Sequence, residues 1–154
     1  MIEGVTLKLL KHIPDERGWL MEVLRSDWDF FEKFGQLILS TAYTNVVKAW
    51  HLHENQTYYL TCINGMIKLV LYDGRDGSNT RGEIDELFLG ETNPLLVKIP
   101  SHVWHGFKAI DRTATVLEAT TELYQYEKPD SKRLPPDTDK IPYDWKLAPW
   151  LKHG

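Results

Sequence analysis

Between Val46 and Thr121 the chain keeps changing between short apolar runs and turn residues, and this rhythm constrains its fold more than any single motif. The runs are Val46–His53, Thr57–Ile63, Met66–Tyr72, Glu83–Leu89, Leu95–Ile99, His105–Ile110 and Thr113–Thr121. Each is too short for a stable isolated helix, and most are rich in β-branched and aromatic residues, as strands are. Strands recurring at roughly eight to twelve residues, with turn residues between them, predict a sandwich or barrel. Asn64-Gly65 lies between two of the runs and predicts a type I′ hairpin, because both central residues of that turn take positive φ. Val5–Leu10, Trp19–Leu24 and Leu37–Tyr43 read as further strands. Asp27–Phe34 is the one stretch with helical character, opened by Asp27 as a cap and stopped by Gly35.

A chain of 154 residues has room for one domain with its own core. The expected division is a barrel over residues 1–126 and a Pro-rich arm over 127–154. In Glu127–Pro142 four prolines interleave with charged residues, a composition that resists regular structure. Tyr143-Asp144-Trp145 and Ala148-Pro149-Trp150-Leu151 then supply apolar anchors for an ordered arm lying over the barrel. The net charge of −4, with no basic stripe, argues against a nucleic-acid partner. Cys62 is the single cysteine, so no internal disulfide forms, and it reads as a small buried hydrophobe. The N-terminal segment scatters its charges, and no segment approaches the ~18 apolar residues of a membrane span. A cytoplasmic protein without a membrane partner is expected.

The chemistry concentrates in Lys48-Ala49-Trp50-His51-Leu52-His53. Two residues apart on a strand, His51 and His53 leave the same face, while Trp50 and Leu52 take the other. In a small barrel two converging imidazoles suit metal binding or proton transfer; on an exposed strand they are a surface pair. Glu118 shares a strand face with Val116 and Thr120. Pointing inward, its carboxyl needs a partner or stays protonated; pointing outward, it is an ordinary edge charge.

His51, His53, Gly65, Pro100 and His105 fall on the spacing of the two cupin motifs, with Tyr58 at the motif glutamate and His102 at the motif glycine. The chain thus resembles a cupin, an all-β double-stranded β-helix or jelly-roll barrel, here with one short helix and an irregular C-terminal arm. Within the cupins it is similar to the dTDP-4-dehydrorhamnose 3,5-epimerase family. The resemblance rests on Asp15-Glu16-Arg17-Gly18-Trp19-Leu20-Met21-Glu22, Val47–His51, Asp73-Gly74-Arg75 with Ser78–Gly82, Ile99–Phe107 and Thr120–Tyr124, in family order.

That resemblance implies an isomerase that epimerises a nucleotide-activated 4-keto-6-deoxysugar in deoxysugar and cell-surface polysaccharide biosynthesis, with no cofactor required. It implies His51 as the base, and Arg17, Glu22, Lys48, His53, His105 and Tyr124 as substrate-binding residues. It also implies a homodimer in which Arg17 and Glu22 serve the neighbouring subunit's site. The chain departs from the family at two catalytic positions: Tyr58 stands where the family has a lysine, and Glu118 where it has an acid tyrosine. Both are retained as catalytic candidates, since a phenol or a carboxyl can donate a proton. Asp137, Asp139 and Asp144 are the candidates for a carboxylate partner of His51. The alternatives are a sugar-nucleotide 3,4-ketoisomerase, a non-catalytic sugar-nucleotide-binding cupin, and a metal-dependent cupin holding Zn²⁺, Fe²⁺ or Mn²⁺ on His51, His53 and His105, with Glu118 as a fourth ligand.

Overall fold

A computed structural model describes residues 1–146, so the expected anchor Ala148-Pro149-Trp150-Leu151 lies outside the described residues. The strands are β1 (Thr6–Leu9), β2 (Ile13–Asp15), β3 (Gly18–Leu20), β4 (Gln36–Ala42), β5 (Val47–Leu52), β6 (Tyr58–Asn64), β7 (Met66–Tyr72), β8 (Ile84–Gly90), β9 (Leu95–Ile99), β10 (Trp104–Ala109), β11 (Ala114–Thr120) and β12 (Lys132–Arg133). Two five-stranded sheets result, in the orders β1-β9-β6-β11-β4 and β12-β5-β10-β7-β8, and β2 pairs only with β3. Every pairing is antiparallel. From β4 onward the chain changes sheet at nearly every connection; of the successive pairs up to β11 only β7 and β8 are direct partners. This alternation is the double-stranded β-helix of a cupin.

Asn64-Gly65 is therefore not a hairpin. It is the corner at which the chain leaves one sheet for the other, since β6 and β7 belong to different sheets. Gly65 alone of the pair has positive φ, at 72°. The backbone donors freed at the corner are taken by carboxylates instead of a neighbouring strand. Gly65 N donates to Glu91 at 2.9 Å and Met66 N to Asp111 at 2.8 Å.

The expected helix at Asp27–Phe34 does not form either; Ser26–Phe30 is a pair of turns. Eight residues are too few to recover the cost of helix nucleation without support, and the side chains are committed elsewhere. Arg25 binds the Asp27 carboxylate that was to cap the helix. Trp28, Phe30 and Phe31 pack toward Tyr59, with the Phe31 ring stacked 6.0 Å from it.

Burial follows from what covers each sheet. Between the sheets Leu60, Ile67, Leu69, Leu71, Val97 and Val116 form the main core. The segment containing Met21, Val23 and Leu24 covers the outer face of the first sheet around Tyr59 and Leu96. The arm covers the second, where Ile141, Tyr143 and Trp145 close over Trp50 and Val70. Strands β6 and β7 are thus buried on both faces, which is why they read as continuous apolar runs. Cys62 lies in the core, and burial pushes its thiol up to about 11. Among the described residues no helix is long and apolar enough to cross a membrane.

Candidate active site

Both sheets contribute to one cavity of about 240 Å³. From the second sheet come Lys48, His51, His105 and Phe107, with His53 just beyond the end of β5; from the first come Ile38, Ser40, Tyr58 and Glu118. Tyr124, Ser131 and Arg133 complete the lining. His51 lies directly opposite His105 in the β5–β10 register, with ring centroids 6.1 Å apart. Trp50, the neighbour of His51 on the opposite face of β5, is fully buried beneath the arm, which directs the His51 imidazole toward the cavity. Seven residues singled out in the sequence, His51, His53, Tyr58, His105, Glu118, Lys48 and Tyr124, therefore meet here. Arg17 and Glu22 do not. Arg17 sits on the projecting β2–β3 hairpin, paired with Asp15 at 2.6 Å, and Glu22 is paired with Arg25.

The ionisable groups are shifted mainly by loss of water. Burial lowers His51 to about 4, helped by the charges of Arg133, His53 and Lys48. Complete burial lowers His105 to about 3, and burial also lowers His53. Glu118 moves the other way, raised by burial to about 7 against the opposing pull of Lys48. Tyr58 is raised well above the usual phenol range, first by burial and then by the Glu118 charge. At neutral pH the cavity holds three neutral imidazoles and a carboxyl poised between its two forms.

His53 is the most constrained of the imidazoles. Its Nδ1 lies 2.6 Å from the Asp130 carbonyl and 3.0 Å from the Gln56 amide. A carbonyl only accepts, so Nδ1 carries the ring proton. Gln56 stands beside the same nitrogen with its Nε2, and its Oε1 is buried without a hydrogen-bond partner. The Tyr58 ring stacks on His53 at 4.5 Å.

The metal site considered from the sequence requires His51, His53 and His105 to converge on one point. The His53 and His105 centroids are 5.6 Å apart, and among the described residues no group of three His, Cys, Asp or Glu is placed to hold a metal ion. Tyr58, at the cupin glutamate position, fills space between imidazoles with an aromatic ring.

The partner sought for His51 among Asp137, Asp139 and Asp144 is also not found; none of them lines the cavity. The acid that matters in the arm is Asp130, whose carboxylate accepts from Glu54 N, Asn55 N and Asn55 Nδ2 at 2.9–3.0 Å and so ties the arm to the end of β5. Arg133 then lies directly opposite His51 in the β5–β12 register. Sequence reasoning missed it because a two-residue strand carries no periodicity. Asp73-Gly74-Arg75 and Ser78–Thr80, singled out earlier as family landmarks, form a structural clamp away from the cavity. The fully buried Asp73 carboxylate accepts from Arg75, Ser78 and Thr80 at 2.6–2.8 Å.

A double-stranded β-helix with imidazoles and a carboxyl meeting between its sheets is a cupin, with a cavity equipped for proton transfer. Within that class, the dTDP-4-dehydrorhamnose 3,5-epimerase family profile matches residues 1–152, and the chain belongs to this family of isomerases. It is 44% identical over 147 residues to a probable low-salt glycan biosynthesis epimerase of Haloferax volcanii, covering 94% of each chain. It is 40% identical to a spore coat polysaccharide biosynthesis protein of Bacillus subtilis, covering 94% of this chain and 97% of the relative. The crystal structure of a dTDP sugar isomerase from Desulfovibrio desulfuricans superposes with a TM-score of 0.88 at 37% identity, over 94% of this chain and 92% of that one.

Proposed function

We propose that the protein epimerises a nucleotide-linked 4-keto-6-deoxysugar by proton transfer next to the ketone, in the making of a polysaccharide or protein-linked glycan. The observation that carries this reading is the placement of His51 and Glu118 on opposing sheets across one cavity. The ketone acidifies the proton on the adjacent carbon. Neutral His51 takes that proton, the C–H electron pair becomes the C=C bond of an enolate, and the carbonyl oxygen takes the negative charge. Glu118, in the protonated form that burial favours, returns a proton to the same carbon from the other face. Imidazolium and carboxylate then reset by exchange with solvent through the cavity mouth. Tyr58 and His105 shape the pocket wall, and Lys48 and Tyr124 lie where a sugar or phosphate group enters. The names of the Haloferax and Bacillus relatives support the glycan setting.

The test is incubation with dTDP-4-keto-6-deoxyglucose in D₂O, following deuterium at C3 and C5 by NMR. Exchange that His51→Ala loses supports the reading; wild-type protein that exchanges neither carbon overturns it. Arg17 and Glu22 are proposed to reach the cavity of a partner subunit in a homodimer. Mixing inactive Arg17→Ala with inactive His51→Ala protein should then restore activity through mixed dimers, and no restoration counts against the shared site.

A further inference from the structure

We infer that Arg133 supplies the positive charge that holds the enolate, in place of the family's lysine, whose position is taken here by Tyr58. This assignment rests on the epimerase reading above. The backbone fixes where the Arg133 side chain goes. Trp50 and Leu134 exchange both backbone hydrogen bonds, Trp50 N to Leu134 O at 2.8 Å and Leu134 N to Trp50 O at 3.1 Å. The neighbouring pair, His51 and Arg133, is therefore a non-hydrogen-bonded pair, in which facing side chains come closest and leave the same side of the sheet. That side is the cavity, and both residues line it.

The charge is uncommitted. Among the described residues Arg133 has no carboxylate within ion-pair distance, whereas the adjacent Lys132 is paired with Glu54. Among the described residues the one carboxyl lining the cavity is that of Glu118, on the opposite sheet. A guanidinium beside the base is suited to the reaction. The ketone oxygen sits on the carbon next to the one that loses its proton, so a group stabilising that oxygen belongs beside the base. The guanidinium also keeps its charge throughout the pH range and offers a fork of N–H donors to an oxyanion. Lys48, the other cation, lies three residues along β5, and its field acts on Glu118 as well as on His51.

The experiment compares wild type, Arg133→Gln and Arg133→Lys for deuterium exchange at saturating dTDP-4-keto-6-deoxyglucose, with dTDP affinity measured by calorimetry. Arg133→Gln is expected to lower the saturating exchange rate on the order of 100-fold, as loss of one oxyanion donor does, while dTDP binds within about threefold of wild type. Arg133→Lys is expected to recover a large part of the rate. Three results overturn the assignment: an unchanged rate in Arg133→Gln, a lysine variant as slow as the glutamine one, or a loss confined to dTDP affinity. The last would make Arg133 a diphosphate anchor. A wild-type protein that performs no exchange overturns the epimerase reading itself, and this inference with it.

Discussion

Glu118 and His51 have their pKa values moved in opposite directions by the same cause, removal from water. The proposed reaction requires His51 neutral and Glu118 protonated, and these conditions overlap between about pH 4 and pH 7. Exchange per unit of free enzyme should therefore decline above pH 7, approaching tenfold per pH unit, and decline again below pH 4. A rate that holds level up to about pH 10 would instead assign the acid to the Tyr58 phenol, which burial raises above the usual phenol range. Glu118→Gln should lower the rate on the order of 100-fold and abolish the limb near 7. The same burial has a consequence for stability. A carboxyl whose pKa is raised on folding contributes fully below its unfolded value, near 4.5, and loses that contribution as pH rises through 7. Glu118→Gln should thus melt higher than wild type at pH 8 and close to it at pH 4.5. Equal shifts at both pH values would mean that the carboxyl is hydrated in the folded protein. His51, His53 and His105 act with the opposite sign: their pKa values fall on folding, so they destabilise the fold as pH drops below about 6.5.

At the scale of elements, Gly65 shows what the sequence expressed and what it concealed. The turn residue was legible, but not the partners of the strands on either side. Apolar runs report burial, and β6 and β7 are buried on both faces by segments distant in sequence. Nothing local distinguishes a strand that folds back on its predecessor from one that turns a corner into another sheet. Gly65→Ala tests the corner. At φ 72° an L-residue is strained by about 1–2 kcal/mol, and the added Cβ would stand 3.0 Å from the Thr113 carbonyl oxygen. A thermal midpoint lowered by roughly 2–8 °C is expected, and an unchanged midpoint would mean that the corner relaxes freely. The candidate site was legible to a similar degree. His51, His53 and His105 are marked by strand alternation and motif spacing, Lys48 by the family resemblance alone, and Glu118 by a carboxyl set among apolar neighbours. Arg133 and the Asp130 clamp were not, because tertiary docking alone gives a proline-rich segment its place. The short helix expected at Asp27–Phe34 failed for a related reason: three aromatic rings had a better use against Tyr59 than along a helix face.

For the molecule as a whole, the arm is part of the site and also the lid over one sheet. Among the described residues its holding contacts include the Asp130 carboxylate on the backbone after β5, the β12 pairing, and the aromatic cluster of Tyr143 and Trp145 on Trp50. The Trp50 and Trp145 rings lie 5.1 Å apart, and Lys68 stands over the Tyr143 and Trp145 rings. Removing a buried Trp side chain typically costs about 3–5 kcal/mol. Here that loss falls on arm docking first, because the main core between the sheets does not include Trp145. Trp145→Ala should therefore loosen the arm before it unfolds the barrel, a local opening of the kind that proteolysis detects. Brief trypsin treatment is expected to cut at Lys132, Arg133 or Lys140 while the barrel stays intact. Saturating deuterium exchange should fall with it, since the Arg133 side chain is held opposite His51 only while β12 is paired. A variant cut in the arm yet as active as wild type would separate the arm from catalysis. A variant neither cut nor slowed would place the holding contacts at Asp130 and β12 rather than in the aromatic cluster.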